Sequence, residues 1–226
     1  MTSIYQRALG HEFENLHPRI QERFGYSSTD HRASIGRGVM EKVWYGRAFT
    51  IPFLYLGTVR NIMFPQQGEQ IPFTIENYAY VDQFGRETVT WARKYHFTNR
   101  VRRFDATMIY SESKQQIIDY LGTHQHLAVE IDMTVAKNGG MRLRSGSQFF
   151  YEKWIGFKFP MLFSGYADVC EWFDDEIGRF RIRVNVTNPV FGRLFGYEGV
   201  FDVDYIQVNP SEIPQDVKPR REERRE

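Results

Sequence analysis

Residues 71–97 read IPFTIENYAYVDQFGRETVTWARKYHF, and the alternation on either side of Asp82-Gln83-Phe84-Gly85-Arg86 decides the fold class. Apolar and polar residues alternating with period two, broken by a short glycine-containing segment, are the pattern of two antiparallel strands and a hairpin. A turn on Phe84-Gly85 pairs Tyr80 with Val89, Tyr78 with Trp91 and Glu76 with Arg93, all sensible cross-strand partners. Glu76, Tyr78, Trp91 and Arg93 are then expected on one face, with Ile75 opposite Lys94 and Phe73 opposite His96 on the other. Neither face is purely polar, which predicts a sheet covered on both sides, by helices and by a barrel interior.

Outward from this hairpin the same period recurs at roughly 35–49, 102–110, 127–137, 141–152, 179–187 and 196–207. With 71–82 and 87–97, these runs predict a mainly β chain: an antiparallel barrel of about eight strands, or a strongly curved half-barrel, with a few helices packed on it. Residues 3–24 carry a helical period instead, with Leu9, Phe13, Leu16, Ile20 and Phe24 on one stripe. Ser3 is placed to cap its start and Pro18 to begin a second short helix. Short helical candidates fall at 53–64, 113–121 and 161–173. A second hairpin turns at Asn138-Gly139-Gly140; placing all three in the loop sets Val135 opposite Leu143. That choice gathers Glu130, Asp132 and Thr134 beside Arg142, Arg144 and Gln148 on one polar face.

Composition bounds the function. With 226 residues the chain suits a single β-rich domain over 1–208, followed by a charged tail, 209–226, expected to be frayed and solvated. A net charge of +1 lacks the overall basic character of a nucleic-acid binder. A lone cysteine, Cys170, and no long apolar run point to the cytoplasm and no transmembrane segment. Gly38, Pro52, Gly57 and Phe64 match Gly146, Pro160, Gly165 and Trp172 at a common offset. Phe84-Gly85-Arg86 and Phe191-Gly192-Arg193 follow one residue out of step, so 35–97 and 143–207 are candidate repeats.

The candidate ligand-binding residues are Glu76, Tyr78, Trp91, Arg93, Glu130, Asp132, Arg142 and Arg144. If they line an enclosed cavity, their arginines and carboxylates among aromatics suit an anionic or amphipathic small molecule. If they face water, they form a surface ladder of ion pairs worth little. Glu76, Arg93, Asp132 and Arg144 are the acid–base set of the alternative, an enzyme. His124-Gln125-His126 sets two imidazoles on one side of a strand, with Glu130 as a further candidate ligand. A metal needs a third and fourth ligand and two histidines alone are weak evidence, so no metal and no cofactor are expected. No Walker loop, dinucleotide fingerprint, nucleophile elbow, Cys-x-x-Cys or His-Glu-x-x-His occurs.

The runs Ser3-Ile4-Tyr5-Gln6-Arg7-Ala8-Leu9-Gly10, Ile71-Pro72-Phe73-Thr74-Ile75-Glu76-Asn77 and Phe84-Gly85-Arg86-Glu87-Thr88 carry a resemblance. With Arg102-Arg103-Phe104-Asp105-Ala106-Thr107-Met108 and Leu162-Phe163-Ser164-Gly165, the chain resembles a bacterial family defined as a domain of unknown function. The resemblance covers about Ser3 to Val208 and supplies no active site. In some bacteria a similar domain follows a saccharopine-dehydrogenase-like reductase, which implies a separate reductase as a candidate partner here. The leading expectation is a non-catalytic β-barrel module that binds an apolar or amphipathic small molecule.

Overall fold

Local chemistry at the N-terminus sets the first helices. The Ser3 hydroxyl accepts the Gln6 N–H at 3.1 Å, and the Gln6 side chain accepts the Ser3 N–H at 3.0 Å, closing a capping box on α1 (Ile4–Leu9). A 3-10 segment, Gly10–Asn15, leads to α2 (Pro18–Phe24), with proline in its first turn as expected. Ile4, Tyr5, Leu9, Phe13, Leu16, Ile20 and Phe24 are all buried.

The structure is a computed structural model that describes residues 2–160 and 164–226. After the helices come strands β1 (Arg32–Tyr45), β2 (Gly68–Val81), β3 (Glu87–Phe97), β4 (Arg100–Ser111), β5 (Gln116–Leu121) and β6 (Leu127–Val135). They are followed by β7 (Met141–Glu152), β8 (Ile155–Lys158), β9 (Tyr166–Asp174), β10 (Arg179–Asn188) and β11 (Gly192–Gln207). The spatial order is β6-β5-β4-β3-β2-β1-β11-β10-β9-β7-β8, and β6 also pairs with β7. Among the described residues, ten strands therefore close an antiparallel barrel and β8 hangs on β7 as an extra strand.

The count exceeds the expected eight because two helical candidates are strands. Segment 113–121 contains β5 and segment 161–173 contains most of β9; Met161, Leu162 and Phe163 lie outside the described residues. In β5, Ile117 packs in one core cluster and Ile118 in another. A strand buried on both faces loses its period of two and cannot be told from a short helix by pattern.

Both hairpins are built on three-residue loops. Val81 stands opposite Glu87, Ala79 opposite Val89 and Glu76 opposite Ala92. The Asp82 carboxylate accepts the N–H groups of Phe84 and Arg86, each at 2.9 Å, and Gly85 takes a φ of 78° that completes the turn. The expected two-residue turn on Phe84-Gly85 was one residue out of register, and one residue reverses every side chain. Trp91 and Arg93 point into the barrel, whereas Tyr78 and Glu76 lie on its outer face. The second hairpin loops through Lys137-Asn138-Gly139 and sets Thr134 opposite Arg142 and Asp132 opposite Arg144. Its faces separate as read, with the pairs displaced by two residues. A bulge between Val129 and Ile131 then carries Gln148 off the polar face, to sit buried opposite Val129.

The candidate repeats fall in unlike elements. Pro52 and Gly57 lie in α3 (Ile51–Thr58), whereas Gly165 and Trp172 lie before and within β9. Phe84-Gly85-Arg86 belongs to the β2–β3 turn and Phe191-Gly192-Arg193 to the β10–β11 turn, which antiparallel order places at opposite ends of the barrel. The end with the β2–β3, β6–β7 and β9–β10 turns is closed by the N-terminal helices: the His17 N–H donates to Gly139 O at 2.8 Å and its ring stacks on Phe173. α3 sits at the other end, with Leu54 and Phe64 in the interior core.

The tail is the largest departure from the frayed, solvated end that its charge predicts. Ile213 and Val217 are buried on the outer face against Ala33, Ile35, Tyr78, Tyr80 and Ala92. Beyond them the Arg220 N–H donates to Thr123 O at 2.7 Å, and the Tyr120 and Tyr151 hydroxyls donate to Arg225 O at 2.8 Å and Glu226 O at 3.1 Å. Two buried apolar residues and a series of backbone acceptors outweigh the cost of ordering a charged segment. Ile213→Ala is expected to cost about 2–5 kcal/mol in urea unfolding, as for other buried isoleucines; a change under about 0.5 kcal/mol would mean the tail does not pack in solution.

Candidate functional site

The inward face of the barrel carries ionisable groups that the strands bring together from distant positions. Arg23 enters from α2; Ser34 lies on β1, Asn77 on β2 and Glu171 on β9. The Arg23 guanidinium donates to the Glu171 carboxylate, to Ser34 Oγ at 3.0 Å and to Asn77 Oδ1 at 3.0 Å, and neither Arg23 nor Glu171 reaches solvent. Burial pushes the Glu171 carboxyl up, and Arg23 opposes that shift. Arg93 is also buried; it donates to Phe104 O and to the Tyr197 hydroxyl, each at 2.9 Å, and lies 4.0 Å over the Phe104 ring. Asp119, inward on β5 opposite Met108 and Val129, is held up by burial to about 7, with Arg93 pulling it down. Its Oδ1 and Glu171 Oε2 have no hydrogen-bond partner among the described residues.

Such groups invite a reading as an active site, but the interior is full. The Trp91 indole N–H donates to the Tyr5 hydroxyl at 2.7 Å, and Tyr5, Phe24 and Trp91 pack ring to ring. The void between Tyr5, Arg23, Phe24, Tyr26, Asn77 and Val89 has no room for a water molecule. The polar groups inside this barrel therefore bind the helices to the wall.

The sequence-predicted site residues divide between inside and outside. Trp91 and Arg93 are interior. Glu76 pairs with Lys94 at 2.7 Å, and Tyr78 is covered by the tail. Glu130 pairs with Lys114 at 2.8 Å, while Arg142 and Arg144 share Asp168, at hydrogen-bond distance and at 3.7 Å. Asp132 and Arg144 are exposed. The set Glu76, Arg93, Asp132 and Arg144 thus does not converge on one point. His124 and His126 stack at 5.7 Å, and His126 contacts Glu152 and Arg221. Among the described residues no group of three or more His, Cys, Asp or Glu side chains is arranged to hold a metal ion.

The feature that sequence reasoning missed lies at the α3 end. Residues 48–59 (AFTIPFLYLGTV) contain no charge and read as ordinary core, yet Phe53 is 71 % and Leu56 72 % exposed. Tyr55 and Val59 are exposed beside them, and Trp154 at the tip of the β7–β8 hairpin is 87 % exposed. Phe157, also exposed, lies 5.4 Å from the Phe150 ring. Backbone bonds link neighbouring loops around this end: Gly46 N–H to Leu194 O and Thr123 N–H to Arg60 O, both at 2.9 Å, and Tyr151 N–H to His126 O at 2.8 Å. Arg225 fixes the hairpin from the tail, donating to Lys153 O and Ile155 O at 3.0 Å.

Comparison with known proteins adds a family without a chemistry. A model described as "Domain of unknown function (DUF4166)" matches residues 16–201. A Bacillus subtilis (strain 168) protein described as "Uncharacterized protein YndH" is 31 % identical over 201 residues, covering 89 % of this chain and 97 % of that protein.

Two outcomes test this partition. A carboxyl raised from 3.8 to about 7 holds in the folded state a proton that the unfolded chain releases. Asp119 therefore makes stability fall as pH rises from about 4 to 7, by roughly 4 kcal/mol. Asp119→Asn is expected to remove that slope in urea unfolding across the window; identical slopes in the two proteins would place the carboxyl in solvent. Arg144→Met and Asp132→Ala, on the exposed wall, are each expected within about 0.5 kcal/mol of the parent, and a loss of several kcal/mol from Asp132→Ala would show a buried pair instead.

Proposed function

Since the chain belongs to the DUF4166 family, whose description names no activity, we propose its function from geometry: a non-catalytic β-barrel module that binds an apolar or amphipathic small molecule at its α3 end. The observation that carries this reading is the uncovered apolar rim of Phe53, Leu56 and Trp154 on a barrel whose interior is packed. Large exposed apolar clusters on a soluble surface mark interaction sites, because each such side chain left in water forgoes about 1.5–3 kcal/mol. A barrel that bound its ligand inside would need an interior space that Tyr5, Phe24 and Trp91 occupy here.

The ligand's chemistry follows from the rim. Aromatic and aliphatic side chains on α3 and the β7–β8 hairpin suit a hydrocarbon chain, and the flanking polar backbone and basic side chains suit a head group. The test uses a zwitterionic lysophospholipid below its micelle-forming concentration. Trp154 fluorescence is expected to shift to the blue and saturate, Trp154→Phe to lose that change, and the double variant Phe53→Ser/Leu56→Ser to bind at least about tenfold more weakly. No saturable change in the parent protein would sink the rim as a binding site.

A further inference from the structure

Unpaired cations on the described surface are most numerous at the apolar rim, although Lys137 in the β6–β7 loop and Arg224 in the tail are also exposed without an ion pair among the described residues. Along the barrel wall the exposed arginines have carboxylate partners: Arg37 with Asp204 and Arg179 with Asp202, both at 2.9 Å, and Arg183 with Glu198 at 3.0 Å. At the α3 end, by contrast, Arg47, Arg100, Lys153, Lys158 and Arg193 are exposed and form no ion pair among the described residues. Arg47 precedes α3, Arg100 starts β4, Lys153 and Lys158 flank the exposed Trp154 and Phe157, and Arg193 follows the β10–β11 turn. Antiparallel order puts all five on the end of the barrel that carries Phe53, Tyr55 and Leu56. The acids there are fewer: Glu152 contacts His126, and Glu69 stands opposite Lys42 in the β1–β2 ladder.

We infer that this end of the barrel docks on an anionic phospholipid surface, with α3 and the tip of the β7–β8 hairpin entering the head-group layer and the five cations meeting lipid phosphates. This rests on the rim reading proposed above and names its amphipathic ligand as a lipid in a bilayer. The chemistry matches at both levels. Tryptophan and tyrosine favour the membrane–water boundary, where an apolar ring and a polar edge are both satisfied. Lysine and arginine near an anionic surface each contribute on the order of 1 kcal/mol, and apolar insertion plus basic attraction together give the two signals that stable but reversible attachment needs. A second copy of the chain fits less well, because a twofold interface on this face would set unpaired cations against unpaired cations. The contact proposed is with the membrane surface, because the outer wall of the barrel carries ion pairs such as Arg37 with Asp204 and Arg183 with Glu198 rather than an apolar band.

The experiment is sedimentation of the full chain with vesicles of phosphatidylcholine alone or mixed with phosphatidylglycerol, some carrying brominated acyl chains. Binding is expected on the mixed vesicles and about tenfold or more weaker on phosphatidylcholine alone, with a further loss in 0.5 M salt. Bromolipid is expected to quench Trp154, and Trp154→Phe to remove that component. The triple variant Lys153→Gln/Lys158→Gln/Arg193→Gln, changed only at exposed positions, is expected to bind about a hundredfold more weakly, at about fivefold per cation. Its thermal unfolding should match the parent's, which separates lost docking from lost fold. Lysophospholipid binding without sedimentation on mixed vesicles would overturn the membrane inference and leave the rim reading standing. Failure of both ligands would overturn both. Equal binding to the two vesicle types, or an unaffected triple variant, would overturn the role given to the cations.

Discussion

A barrel of about eight strands is just wide enough to be filled by its own inward side chains, and a wider one needs further filling. Ten strands close here, and the N-terminal helices supply the remainder. Tyr5 and Phe24 stack against Trp91, and Arg23 reaches the wall at Ser34, Asn77 and Glu171. Inward Gly36 and Gly38 on β1 leave space that Phe201 and Ile75 occupy; a Cβ at Gly38 would run into the β11 backbone. Because the plug is packed, the void beside it has no room even for a water molecule, and the proposed binding site is sought on the outside for that reason.

The buried Arg23–Glu171 pair shows what such filling entails. An ion pair removed from water gains little over a well-packed apolar pair, but loss of one partner strands the other at a cost of roughly 3–5 kcal/mol. The pair therefore acts through geometry: one helix side chain engages β1, β2 and β9 simultaneously, and the Asn77 amide passes the contact on to Thr90 O at 3.1 Å. Arg93 achieves burial without a salt bridge, through the Phe104 carbonyl, the Tyr197 hydroxyl and the aromatic faces around it. Outside, the same residue types behave differently. Lys94 with Glu76 and Lys114 with Glu130 are partly solvated pairs that keep the wall soluble and contribute little else.

Most of the wall was legible in the sequence because period-two alternation and cross-strand preference are local. Eight runs of that kind correspond to β1–β4, β6, β7, β10 and β11. Ser3 and Pro18 begin helices where their side chains make them do so. The candidate site was legible only in its ingredients: the eight charged and aromatic residues are real neighbours along their strands, but a three-residue loop, Gln83–Gly85, in place of a two-residue one sends Trp91 and Arg93 inward while Glu76 and Tyr78 stay out. The rim was not legible, since residues 48–59 have the composition of a buried helix.

By itself the sequence determined the class of the fold, the caps, the hairpin positions and the absence of any recognised catalytic motif, all of which depend on residues within a few positions of one another. Only the tertiary structure decided the closure through β6 and β7, the conversion of β5 and β9 from apparent helices to strands, the docking of Ile213 and Val217, and the exposure of Phe53 and Leu56. The physical reason is common to all four. Which face of a segment meets water depends on what the rest of the chain places against it, and an apolar residue carries the same signature whether it is covered by a neighbouring strand, by a returning tail or by nothing in the chain at all.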